Sequence, residues 1–169
     1  GYKQVWDGMN YADRVKMPVL WLSWPLDAHF PLGCQAEHYR KTPGPRMVSL
    51  ISKMGHSHPA GWNPPDSYAF AQSVVETGKP WGKSTAAATK DGNAIAIFAS
   101  KKPITRAVLV STTDKGFTGT RKWVETPAAA ASGGGGTTAS APLPAGTTAW
   151  YINAYADKLT LTSDYQEIK

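Results

Sequence analysis

The run Pro18-Val19-Leu20-Trp21-Leu22-Ser23-Trp24 constrains this chain most: it is nearly unbroken in apolar character, stops at Pro25, and is followed at once by an acid, Asp27. A half-exposed strand alternates apolar with polar residues, so a continuous run bounded by proline suits a strand covered on both faces, as in a parallel sheet. Residues Leu32 to Lys41 then read as a short helix, closed by Thr42-Pro43-Gly44-Pro45, and Arg46 to Ser52 as a second strand. Strand, helix, strand is a crossover unit, which is right-handed with parallel strands. Both strands therefore end on the same side, where open α/β sheets place their sites. The loop after the second strand, Met54-Gly55-His56-Ser57-His58-Pro59-Ala60-Gly61-Trp62, brings a histidine to that side, and Asp27 and His56 are expected to meet there.

After this loop, Asn63-Pro64-Pro65-Asp66 supplies an N-cap, a proline at the first position and an acid in the first turn. Tyr68, Ala71, Val74 and Val75 recur at helical spacing and predict the docked face, and Gly78 and Pro80 end the helix. Beyond Trp81 the character changes. Lys83 to Thr89 reads as a small-residue connector, followed by short strands at Ala94 to Ala99, Arg106 to Thr112, Arg121 to Thr126, Thr147 to Ala154 and Lys158 to Thr162. Weaker strand candidates lie near Ala128 and Thr138, and Ser132 to Gly136 reads as a flexible loop tip. The expectation is an α/β portion over residues 1–83 and a small antiparallel β-sandwich over residues 84–169.

Composition narrows the function classes. Hydrophobic residues make up 41% of the 169 positions, with seven Trp, which is too apolar for a disordered or solvating chain. The net charge of +6 is shared evenly between residues 1–83 and 84–169, without a basic stripe, which argues against nucleic acid. One cysteine, Cys34, excludes an intrachain disulfide framework. No apolar run approaches the roughly 18 residues a membrane span needs. The first residue is Gly1, not Met, and the chain is read as a processed or excised piece.

Phosphate-binding readings fail on context. Trp81-Gly82-Lys83-Ser84-Thr85 has Thr77 where the first glycine belongs, and the run Gly133 to Gly136 lacks a strand leading into a helix. Two chemistries remain for the polar cluster. Asp27, His29, His56 and His58 form Asp-x-His and His-x-His pairs, a donor set for a metal ion. Alternatively, Asp27 orients the imidazole of His56 and stabilises its protonated form, while His56 takes and returns a nucleophile's proton. In that second reading His58, Trp62 and Phe30 line the substrate site, and Trp24 packs its wall. Trp123 and Trp150 are read as core residues, with stacking on sugars as the alternative.

Asp27-Ala28-His29-Phe30-Pro31-Leu32, Gly44-Pro45-Arg46-Met47, Met54-Gly55-His56-Ser57-His58 and Gly61-Trp62-Asn63-Pro64-Pro65-Asp66-Ser67-Tyr68-Ala69-Phe70-Ala71 occur in fixed order. Over about residues 10 to 82 this resembles the C-terminal part of bacterial α/β-hydrolases of the acetyl-xylan-esterase-like and dipeptidyl or acylaminoacyl-peptidase-like groups. Ala107 to Asp114, Arg121-Lys122-Trp123 and Leu143 to Tyr151 resemble a β-rich extension found after the hydrolase domain in some of them. The resemblance implies an α/β fold, the C-terminal portion of an α/β-hydrolase parallel sheet (β-α-β-α), followed by the sandwich. It also implies Asp27 and His56 as triad acid and base, no cofactor, and a secreted or periplasmic location.

The chain departs from that pattern in one decisive respect. It has no Gly-x-Ser-x-Gly elbow, and Ser23, Ser57, Ser67 and Ser73 have neither the flanking glycines nor the position of a nucleophile. The expectation is a serine-type hydrolase of small esters, acyl sugars or peptides, inactive alone, whose nucleophile lies on a missing N-terminal half that also covers the exposed sheet edge. The alternatives are a non-catalytic carbohydrate- or protein-binding module, and a metal-dependent hydrolase. No nucleic acid and no membrane span enter any of the three.

Overall fold

The apolar run forms strand β1 (Val19–Ser23), and the second apolar segment forms β2 (Arg46–Leu50). They pair in parallel, Val19 opposite Arg46 and Ser23 opposite Leu50. The helix between them, α1, spans Leu32–Lys41. The chain enters β2 through a tight approach: a Cβ on Gly44 would sit 2.5 Å from the Met17 carbonyl oxygen, so only glycine fits. After β2 come a single turn of helix, α2 (His58–Trp62), and a longer one, α3 (Pro65–Thr77), ended by Gly78 at φ 69°. These details come from a computed structural model that describes residues 5–168. Gly1 and Lys169, the outer limits of the two expected portions, lie outside the described residues.

From Gly82 onward the chain is antiparallel sheet: β3 (Gly82–Lys90), β4 (Asn93–Ser100), β5 (Arg106–Thr112), β6 (Val124–Gly133), β7 (Gly136–Pro142), β8 (Ala149–Ala156), β9 (Leu159–Thr162) and β10 (Gln166–Glu167). They form one eight-stranded sheet in the order β10-β8-β5-β6-β7-β4-β3, with β9 also pairing on β8. Long β6 carries the curl, because its first half pairs with β5 and its second half with β7. The sheet thus bends into a half-barrel whose inner face packs Phe98 from β4, Leu109 from β5 and Trp150, Ile152 and Ala154 from β8.

The expected fold class is therefore corrected. The molecule is mostly antiparallel β, with a parallel sheet of two strands and three short helices among the described residues; it is not an α/β-hydrolase parallel sheet, and the β portion is one continuous curled sheet. The cause lies in the Ala-, Thr- and Gly-rich segments. Lys83 to Thr89, expected to be a connector, is most of β3 and pairs along β4. The weak candidates near Ala128 and Thr138 are the long strands β6 and β7. Small residues have low intrinsic β propensity, and pairing with neighbours outweighs it here. The glycine run is a tight hairpin: Gly134 and Gly135 both have positive φ, 57° and 88°, as a two-residue turn of the twisted hairpin kind requires.

Strand β8 is buried on both faces, one against the barrel interior and one against α1. Tyr151 and Ala149 pack with Leu32, Ala36 and Tyr39 of α1 and with Val48 and Leu50 of β2. Met47 of β2 points the other way and joins the half-barrel cluster, so the two portions share their core. The junction is sealed by side chains instead of a ladder: Thr162 Oγ1 accepts from Leu50 N (2.8 Å), Asn153 Nδ2 donates to Leu50 O (2.9 Å), and Ser49 Oγ donates to Thr160 O (2.6 Å).

Helix α3 docks on a different face from the one its spacing predicts. Asp66 and Ser73 are buried and Ala69 and Phe70 pack on the core, while Tyr68 (66% exposed) and Val75 (86%) face outward. Asp66 Oδ1 accepts from Thr160 N (2.7 Å) and Ser49 Oγ (3.1 Å), and this polar latch fixes the helix rotation. Nor is Asn63 the N-cap of α3: it closes α2, and Pro64 precedes the longer helix.

Candidate acid–base site

Asp27 and His56 meet as the crossover geometry requires. Asp27 sits in the turn after β1, where its N–H donates to Trp24 O (3.1 Å). Its Oδ1 accepts from the backbone N–H groups of His29 (2.8 Å) and Phe30 (2.9 Å), a local arrangement to which a short acidic side chain is suited. Its Oδ2 faces His56 Nδ1 at 2.9 Å. The indole Nε1–H of Trp24 donates to Ser52 O (3.0 Å), tying the acid's loop to the loop that leads to His56. Gly55, at φ 76°, turns the chain so that His56 projects back toward the acid.

Exposure divides the pair. Asp27 is buried with its side chain 7% exposed, whereas the His56 ring is 43% exposed. Burial raises the Asp27 pKa, but the hydrogen bond from His56 and the N–H groups of Phe30 and His29 more than offset it and hold the carboxyl below its ordinary value. A carboxylate fixed at Nδ1 holds the imidazole proton there and leaves the Nε2 lone pair outward, the tautomer of a general base. Among the described residues Nε2 has no hydrogen-bond partner.

The pair opens on a groove of about 540 Å³ lined by Leu22, Phe30, Met54, His58 and Gly61 as well as the two catalytic candidates. Phe30, 62% exposed, lies over His56 at 6.1 Å between ring centroids, and His29 lies closer at 4.5 Å. His58 stacks on Trp62 at 5.6 Å; Trp62, 67% exposed, stands at the groove's margin and does not line it. Beside the groove is an apolar hollow of about 650 Å³, walled by Trp6, Tyr11, Val15, Trp21, Leu22 and Phe30. It runs along β1, whose outer edge pairs with no strand among the described residues. Val19 N donates to Pro45 O and Ser23 O accepts from Ile51 N, so by alternation Leu20 and Leu22 turn their backbone groups to the other side, where no strand pairs among the described residues.

The half-barrel contributes residues that the sequence does not announce. Thr118 Oγ1 accepts from Leu32 N (2.9 Å) at the start of α1, and Gly119 lies so close that a Cβ there would be 3.2 Å from Asp27 O. The turn Thr118–Thr120 thus braces the acid's loop from 86 residues away in sequence. No local signal marks it, because its partner is another loop's backbone. Trp150 is fully buried in the core and so presents no face to a sugar; Trp123 is half-buried against Tyr151 and Tyr165. Cys34 lies on the exposed side of α1. Among the described residues no helix is long and apolar enough to cross a membrane. No protein-family profile matches this chain, and no curated protein matches it.

Proposed function

We propose that this chain supplies the acid, Asp27, and the general base, His56, of a serine-type hydrolase that cleaves small esters, acyl sugars or peptides. The observation that carries the reading is the 2.9 Å contact between a buried, doubly N–H-bonded carboxylate and the Nδ1 of an exposed imidazole that lines a groove. A purely structural role would not require the imidazole to stay exposed. In the reaction, His56 takes the proton of the attacking hydroxyl at Nε2, Asp27 stabilises the imidazolium that results, and the same proton passes to the leaving group. Phe30 and His58 bound the space in which the substrate lies.

The nucleophile comes from a polypeptide outside these 169 residues. Its docking place is the open edge of β1 together with the apolar hollow beside it, which adjoins the groove at Leu22, Asp27, Phe30 and Met54. An unpaired edge flanked by exposed Trp6, Tyr11 and Met17 is a surface that proteins cover.

The test is steady-state hydrolysis by the assembled protein carrying His56→Ala. Turnover falls by at least about 10³-fold while substrate binding persists, since removing one member of such a unit disables all of it. Unchanged turnover would refute the assignment.

A further inference from the structure

Three donors converge where the mechanism uses two. Ligand atoms of Asp27, His29 and His56 all lie within 4.8 Å of one another, one carboxylate and two imidazoles, and the His29 and His56 rings are 4.5 Å apart. His29 has no part in the acid–base step. From this geometry we infer that the site binds one Zn²⁺ ion through Asp27, His29 and His56, and that the ion switches the base off.

The stereochemistry carries the argument. Zinc takes imidazole nitrogen and carboxylate oxygen at about 2.0–2.2 Å. Two such ligands 2.9 Å apart, the separation of His56 Nδ1 and Asp27 Oδ2, subtend about 90° at the ion, and a tetrahedral angle asks for about half an ångström more. The His56 ring is exposed enough to make that movement, and so is His29. Asp27 is already an anion held in place by two N–H groups, so the ligand that must stay fixed is the one that is fixed. Water completes the coordination.

The consequence for the base follows from proton balance. Zinc on Nδ1 replaces the Nδ1 proton, and neutral imidazole then keeps its one proton on Nε2. A protonated Nε2 cannot accept the proton of a hydroxyl, and the carboxylate that stabilised the imidazolium is occupied by the metal. Zinc therefore inhibits by fixing the wrong tautomer. The binding site stands on the residues alone; its inhibitory meaning rests on the hydrolase reading given above.

The experiment is a calorimetric titration of the 169-residue chain with ZnCl₂, alongside His29→Ala and His38→Ala. Long-range ¹H–¹⁵N spectra of the imidazoles report the His56 tautomer. The expected result is one zinc per chain, affinity weakened about tenfold or more by His29→Ala and unchanged by His38→Ala, and the His56 proton on Nε2 in the loaded form. Binding indifferent to His29→Ala, or no binding at millimolar zinc, overturns the site. Zinc-dependent ester turnover by the isolated chain overturns the inhibitory role. If zinc binds as expected but the assembled protein lacks His56-dependent hydrolysis, the hydrolase reading fails and the metal site remains.

Discussion

Asp27 and Asp66 are both nearly dry carboxylates, 5% and 1% exposed, and each accepts backbone N–H and side-chain hydrogen bonds. They differ in what lies on the other side. Asp66 is enclosed by Ser49 and Thr160, and burial raises its pKa despite those bonds. Asp27 turns one oxygen to an exposed imidazole, and its pKa is lowered against the same burial. Asp27 follows strand β1 and Asp66 lies in the first turn of α3, yet only Asp27 faces solvent through a partner. Burial of an acid therefore marks a fixed position; an exposed titratable partner marks a chemical one.

The comparison breaks most sharply in kinetics. Asp27→Asn keeps an oxygen for the N–H groups of His29 and Phe30 but no longer holds the proton on Nδ1, so turnover of the assembled hydrolase drops by about 10⁴-fold with the fold intact. Steady-state turnover and the urea midpoint, read together, check this; a large stability loss with little kinetic change would place Asp27 beside Asp66 as a structural group.

Asp66 should behave in the opposite way. Asp66→Ala leaves the Thr160 N–H without its acceptor in a dry site, while Ser49 Oγ keeps Thr160 O, and costs about 2–3 kcal/mol in urea unfolding. Asp66→Asn retains an acceptor and serves to read the pH linkage. An acid whose folded pKa is raised contributes stability below its unfolded value, ordinarily 3.8, and loses it as pH rises through the folded value. The asparagine variant lacks that loss, so its stability relative to the parent improves as pH rises above that ordinary value. Unfolding midpoints measured across that range decide the sign.

The smallest effect belongs to the brace between the two portions. Thr118→Ala removes the acceptor for Leu32 N at the head of α1 and costs about 1 kcal/mol, the size of a lost helix cap. A null result in urea unfolding would mean that the half-barrel touches the acid's loop without supporting it.

These contrasts also explain what was legible in the sequence. The parallel pair β1 and β2, helix α1 and the meeting of Asp27 with His56 follow from local signals: an apolar run ended by Pro25, a helical segment closed by Thr42-Pro43-Gly44-Pro45, and a crossover that brings the ends of both strands to one side. The dominant half-barrel was not legible as such, because β3, β6 and β7 are built from alanine, threonine, serine and glycine whose strand character comes from pairing. The rotation of α3 was hidden too. Its apolar positions predicted one face, and the buried bonds of Asp66 to β2 and β9 selected another. Likewise, Thr118 and Gly119 gain their place at the acid's loop through tertiary contact alone.

The central claim, that Asp27 and His56 serve a serine held on another polypeptide, is tested most directly by fluorophosphonate labelling of natively purified material, with intact mass analysis of every polypeptide present. The account predicts a label on a serine outside residues 1–169 and loss of that label when His56→Ala is introduced. Labelling that survives His56→Ala, or no labelled polypeptide at all, would contradict it.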